Sequence, residues 1–269
     1  MKIFYNKKKL LNYIGSEKDL GFVPTMGCIH KGHLSLVKNS MKICEKTIVT
    51  IFVNKPQFNK KSDYIKYPRT NKKDILSLRK AKVDFLYIPK NRDIYNLKRN
   101  KKIKINPFSK QLCGRFRPNH FYAVVDVLDR FIKIIKPKKI FMGEKDMQQL
   151  KIVKHFVTNN FKNINIIECE TVREKNGTAL SSRNKLLSIK GSSISSQVYK
   201  LIYNNKKKIL KNKINLNTIK KQIYKIGVSK IDYIKILDIN KIIKPYIRSN
   251  KYKIFVAYYI GSVRLIDNI

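Results

Sequence analysis

Two imidazoles three residues apart, His30 and His33, stand in the run Pro24-Thr25-Met26-Gly27-Cys28-Ile29-His30-Lys31-Gly32-His33. Imidazole N–H groups can donate to charge growing on a phosphoryl oxygen, or carry a proton near neutral pH. Three further groups carry usable chemistry. Asn54 and Gln57 in Phe52-Val53-Asn54-Lys55-Pro56-Gln57-Phe58 offer two amides suited to hydroxyls or a carboxylate. Gly143-Glu144-Lys145-Asp146 with Gln148-Gln149 offers a cation and further amides, and Ser181-Ser182-Arg183-Asn184 offers two hydroxyls and a guanidinium. Two hydroxyls and a guanidinium make a natural clamp on a polyphosphate. Each group also has a purely structural use: histidines and Ser181 as helix caps, Asn54 as a turn cap, Lys145 as part of a surface charge cluster.

These residues need elements to place them. Leu20-Gly21-Phe22-Val23 is a short apolar run closed by Pro24 and Gly27, so it predicts a strand, followed by a helix over Leu34 to Ile43. A strand handing over to a helix start is where backbone N–H groups favour phosphate, and Gly32 keeps that backbone bare. Thr47 to Val53 predicts a strand buried on both faces, Asn71 to Lys82 a helix, Val83 to Ile88 a strand, and Tyr122 to Ile135 a helix stopped by Pro137. Lys139 to Met142 predicts a strand ending at Gly143, Asp146 to Asn159 a helix and Ile164 to Cys169 a strand. This alternation implies an α/β fold, a Rossmann-like parallel sheet with helices on both faces, whose ligands gather beyond the carboxyl ends of the strands. From about Thr171 helical patterns precede short strands, implying a smaller C-terminal α+β domain that acts as a lid. The expected division is therefore 1–170 and 171–269.

At 269 residues and 43% hydrophobic the chain can bury a sizeable core. Its formal charge of +43 suggests nucleic acid at first sight. Lysine far outnumbers arginine, however, Asn and Ile abound, Trp is absent, and the bias runs through the whole chain. An A/T-biased genome explains this better than a dedicated nucleic-acid partner, which favours localised arginine. No apolar run reaches the length of a membrane span and no secretory segment opens the chain, so neither a membrane nor secretion is expected. Cys28, Cys44, Cys113 and Cys169 lack paired spacing, so neither a zinc site nor a disulfide framework is indicated and a reducing cytoplasm is the simplest home.

PTMG-x-x-H-x-GH (24–33), FVN-x-x-QF (52–58), YPRT (67–70), RP-x-HF (117–121), GEKD-x-QQL (143–150), SSRN (181–184) and RLIDN (264–268) occur here in one order. Together they resemble the pantothenate synthetases, or pantoate–β-alanine ligases, of the HIGH-motif nucleotidyltransferase superfamily. The resemblance runs from about Gly21 to Asn268. It implies that ATP and (R)-pantoate form pantoyl adenylate and pyrophosphate, and that β-alanine then displaces AMP to give pantothenate. It also implies Mg²⁺ bridging the ATP phosphates, with no protein ligand identified, and a homodimer.

Carried over residue by residue, the ATP-binding positions are Met26, Gly27, Cys28, Ile29, His30, Lys31, Gly32, His33, Gly143, Glu144, Lys145, Asp146, Val172, Leu180, Ser181, Ser182 and Arg183. The catalytic positions are His33 as proton donor, His30 and Lys145. Gln57 and Gln149 are the pantoate positions, Gln57 also serves β-alanine, and Asn54, Arg117 and His120 are supporting. Three departures touch these islands. Pro56 is displaced by one place from the family's usual position, Tyr122-Ala123 replaces a small residue and Gly, and Thr178 replaces Leu. Another HIGH-motif nucleotidyltransferase, and a basic nucleic-acid-binding protein that has lost catalysis, are the competing readings.

Overall fold

The computed structural model describes residues 1–15, 19–95 and 103–269. They divide into two compact units, one of Met1–Glu144 with Gln148–Glu170, the other of Lys145–Met147 with Thr171–Ile269.

The first unit is built on β1 (Lys2–Phe4), β2 (Leu20–Thr25), β3 (Lys46–Ile51), β4 (Phe85–Tyr87), β5 (Lys139–Gly143) and β6 (Asn165–Cys169). All pair in parallel, in the order β1-β4-β3-β2-β5-β6. Alternation along each strand explains the continuous apolar runs, because both faces are covered. On one face, Phe22 of β2 and Tyr87 of β4 meet Phe131 of the helix His120–Ile135, with ring centroids 5.9 and 6.3 Å away. On the other, Val23, Val49, Leu86 and Phe141 pack with Leu36 and Val37 of the helix Lys31–Ile43 and Leu78 of the helix Asn71–Lys80.

Strand order reverses at β2. Its chain neighbour β3 lies on one side, and β5 lies on the other through Gly21 with Lys139 and Phe22 with Ile140. The carboxyl ends of β2 and β5 therefore flank a topological switch point, where parallel sheets collect ligands.

Two helices start earlier than their apolar patterns predict. One begins at Lys31 rather than Leu34 and the other at His120 rather than Tyr122, so His33 and His120 both lie in first turns. The short β1 and the Lys-rich helix Lys7–Ile14, capped by the Asn6 side chain on the N–H groups of Lys8 and Lys9, escape the sequence reading because each is brief, although the helix buries Leu10 and Ile14 on one face.

In the second unit the helices Ile189–Leu210 and Leu216–Lys225 cover an antiparallel sheet of β7 (Lys230–Asp238), β8 (Tyr252–Ile260) and β9 (Val263–Asn268). Ile194, Val198, Ile202, Ile219 and Ile223 from the helices meet Ile234, Ile254, Val256 and Leu265 from the strands. The smaller α+β unit expected after the parallel sheet is present. No described helix is long and apolar enough to cross a membrane.

Candidate active site

β2 ends at Thr25, whose hydroxyl donates to the Thr50 carbonyl at 2.7 Å and accepts the Gly27 N–H at 3.1 Å. Gly27 takes φ +81° and Cys28 φ +55°, so the chain turns through two consecutive left-handed residues, the second not glycine. Buried Asp74 holds this turn. Its carboxylate accepts the N–H groups of Cys28 and Ile29, both at 2.8 Å, and the Thr70 hydroxyl at 2.9 Å.

His30 then caps the helix. Its Nδ1 accepts the Gly32 N–H at 3.1 Å, which puts the ring proton on Nε2 and makes that atom the donor. The His33 ring stacks on it with centroids 4.0 Å apart. Gly32 thus gives its N–H to the cap.

Beyond β3, Asn54 and Gln57 flank a 3-10 turn, Lys55–Gln57, in which Pro56 sits where a missing N–H costs nothing. Gln57 is buried. Its Oε1 accepts from Asn54 Nδ2 at 3.1 Å and its Nε2 reaches Met26 Sδ at 2.9 Å, so it lies against the β2 loop. Asn54 Nδ2 also donates to the Ala123 carbonyl, and Asn54 Oδ1 accepts the Tyr95 hydroxyl at 2.6 Å. Only the backbone of Ala123 is used in that contact, so the replaced side chain leaves it intact.

The Gln57 carbonyl accepts from Arg117 Nη2 at 3.1 Å and His120 Nδ1 at 2.8 Å. A guanidinium can only donate, so the 3.2 Å contact of Arg117 Nη1 with His120 Nε2 makes His120 the neutral Nδ1–H tautomer. Met26, Asn54, Gln57, Arg117 and His120 are thereby one connected group.

β5 ends at Gly143, where an added Cβ would meet nothing within 4 Å. No packing inside the protein requires glycine there. The 3-10 turn Glu144–Asp146 follows, then the helix Met147–Asn160. Gln148 is buried and fully engaged, accepting the Cys113 N–H at 3.0 Å and donating to the carbonyls of Phe108 and Gln111. Half-buried Gln149 takes no part in that pinning.

In the second unit Lys145 Nζ pairs with Asp146 Oδ1 at 3.1 Å. The Val172 carbonyl accepts the Leu180 N–H at 3.0 Å, and Ser181 caps the turn Ser182–Leu186 by accepting the Arg183 N–H at 3.3 Å. Arg173 grips Asp267 with two bonds of 2.7 and 2.9 Å and reaches the carbonyls of Gly177 and Asn268. Burial pulls the Arg173 guanidinium pKa down, but the Asp267 carboxylate outweighs it, for a net rise. Among the described residues no three or more His, Cys, Asp or Glu side chains gather as a metal cage.

Asp74, Tyr95 and Arg173 are absent from the residues singled out by sequence, and Thr25 stands there only as a member of PTMG. Asp74 follows the YPRT island by four residues, but an acid in a helix's first turn ordinarily signals only the helix start, so nothing marked its reach back to Cys28 and Ile29.

The family model for pantoate-beta-alanine ligase matches residues 2–269. A pantothenate synthetase of Endomicrobium trichonymphae is 38% identical, the match covering 100% of this chain and 97% of that protein. A pantothenate synthetase structure from Thermus thermophilus superposes with TM-score 0.88 at 28% identity, covering 100% of this chain and 99% of that one. A pantoate-beta-alanine ligase structure from Francisella tularensis, complexed with beta-gamma ATP and beta-alanine, gives TM-score 0.86 at 35% identity, covering 100% and 97%.

Proposed function

The chain belongs to the pantoate–β-alanine ligase family, and from that premise we infer that it condenses (R)-pantoate with β-alanine to pantothenate, using ATP. The pantoate carboxylate attacks the α-phosphorus of ATP, pyrophosphate leaves, and the amine of β-alanine then displaces AMP from the acyl carbon of pantoyl adenylate. Negative charge grows on the phosphoryl oxygens in the first step. Fixed donors and cations stabilise it without reorganising at the moment of reaction.

The observation that carries this reading is the turn at the sheet's switch point, with the Gln57 amide lying against Met26. In the first unit Met26 to His33 and Gly143 to Glu144 serve ATP. His30 presents its Nε2–H, and His33 acts beside it as proton donor. Gln57 and Gln149 hold pantoate, and Gln57 also serves β-alanine. The Asn54–Tyr95 pair and the Arg117–His120 pair fix Gln57 from either end. In the second unit Lys145, Asp146, Val172, Leu180, Ser181, Ser182 and Arg183 serve the nucleotide, with Lys145 and Arg183 neutralising phosphate charge.

The donor chemistry fits a Mg²⁺ carried by the ATP phosphates, the manner in which this ion usually meets an ATP enzyme. Bound so, it would neutralise the departing pyrophosphate. The four buried cysteines, all present as thiols, support a reducing compartment, the cytoplasm. A homodimer is the assembly that family membership suggests, and sedimentation equilibrium tests it.

The deciding experiment incubates the protein with ATP, Mg²⁺, pantoate and β-alanine, omitting each in turn, and measures AMP and pantothenate. Both appear together only in the full mixture. A folded protein that makes neither overturns the reading.

A further inference from the structure

The RLIDN segment has no assigned part in the reaction, yet its Asn268 reaches the turn that carries Lys145. Asn268 is 3% exposed and its Nδ2 donates to the Lys145 carbonyl at 2.8 Å. Its Oδ1 accepts from Lys253 Nζ at 3.0 Å, its N–H donates to Asp267 Oδ1 at 2.8 Å, and its carbonyl accepts from Arg173. The two ends of the amide are therefore not interchangeable. Flipped, the oxygen would face a carbonyl and the NH₂ an ammonium.

Arg173 anchors the other side of this brace. It holds Asp267 by two bonds, reaches the Gly177 carbonyl at 3.1 Å and lies 4.5 Å from the Tyr199 ring centre. The turn Glu144–Asp146 is a single three-residue 3-10 turn, without the repeated ladder that makes a long helix rigid. A part-buried hydrogen bond to its central carbonyl then sets the direction of that peptide plane, and with it the Cα–Cβ bond of Lys145.

We propose that Asn268 is a positioning residue for the Lys145 ammonium. Its amide fixes the turn, Lys253 holds the amide oxygen, Arg173 holds the Asn268 main-chain carbonyl and the Asp267 carboxylate, and the ammonium is thereby aimed at the phosphates during adenylation. This rests on the ligase reading.

Asn268→Asp is the informative variant. It keeps the shape and the Lys253 partner but cannot donate to the Lys145 carbonyl at neutral pH. Asn268→Ala accompanies it, and pantoate-dependent exchange of labelled pyrophosphate into ATP is measured in wild-type and Lys145→Ala backgrounds. In the first background both variants lower kcat by about 10- to 100-fold, the scale for a residue that orients a reacting group, with the KM for ATP within about threefold. In the second background the same substitutions cost less than about twofold, because the group they aim is gone. Near-wild-type exchange by Asn268→Asp overturns the proposal. So does an equal loss in both backgrounds, or loss of folding by both variants, which would make Asn268 a stability residue. A folded wild type without exchange instead overturns the ligase reading beneath it.

Discussion

The two histidines divide their labour by what surrounds each ring. His30 uses Nδ1 to cap its helix and carries its proton on Nε2, while His33 lies in the same helix's first turn and stacks on it. His33→Ala therefore removes a donor without touching the cap. Adenylate formation should fall about 10²- to 10³-fold with the melting temperature kept, as when one transition-state donor is lost. A rate within threefold of wild type would remove His33 from the chemistry. Gly143 makes a sharper probe of ligand approach. Open space surrounds its missing Cβ, so Gly143→Ala should leave the melting temperature within a degree or two. The KM for ATP should rise severalfold if the nucleotide lies against that backbone, and an unchanged KM would show that it does not. Residue identities of this kind were legible from islands of sequence. Ring orientation was not, because the Nδ1 cap of His30 depends on a helix starting three residues earlier than its apolar pattern shows. The sequence offers capping to either histidine and does not say which ring, or which nitrogen, takes it.

The element that shapes the β2 turn comes from elsewhere in the chain. Asp74 stands at the start of the helix Asn71–Lys80 and accepts three hydrogen bonds while 2% exposed. Asp74→Ala leaves two buried N–H groups without acceptors, a loss of roughly 2–5 kcal/mol. The expected result is a lower midpoint in denaturant and a weaker grip on ATP, both measurable on one preparation; a change in neither would mean that the turn holds itself. Glu168 ties β6 to the helix Met147–Asn160 through Lys154 at 2.8 Å and Lys151 at 3.5 Å. Burial pushes its carboxyl pKa up, but the two lysines outweigh burial and the net shift is downward. A depressed carboxyl adds stability above the unfolded value, about 4.3, and loses it as pH falls through the folded one. Wild type should thus melt above Glu168→Gln at pH 7 by a margin that closes on acidification below about pH 4. A gap that widens there would reverse the sign of this contact. Strands buried on both faces were readable from their apolar runs. The link from Asp74 back to Cys28 was not, since two amides 45 and 46 positions away leave no periodic trace.

Across the whole molecule the charge of +43 sets two opposed responses to salt. Self-repulsion opposes the compact state, whereas the same field draws in anionic substrates. Raising ionic strength from about 0.01 to 0.1 M shortens the screening length from roughly 30 to 10 Å. The melting temperature should rise while kcat/KM for ATP falls, and a melting temperature that drops with salt would mean that attractive pairs dominate the field. The order of motifs disclosed the reaction because chemistry is concentrated in short local runs. It could not disclose the bond between Asn268 and Lys145, which closes 123 residues of chain and exists only once the three-stranded sheet has formed. That separation changes how inherited damage in this chain would be read. If Asn268 aims Lys145, a substitution that loosens β9 strikes turnover before it strikes solubility. Selection would then guard a strand that supplies no reacting group as strictly as it guards the histidines.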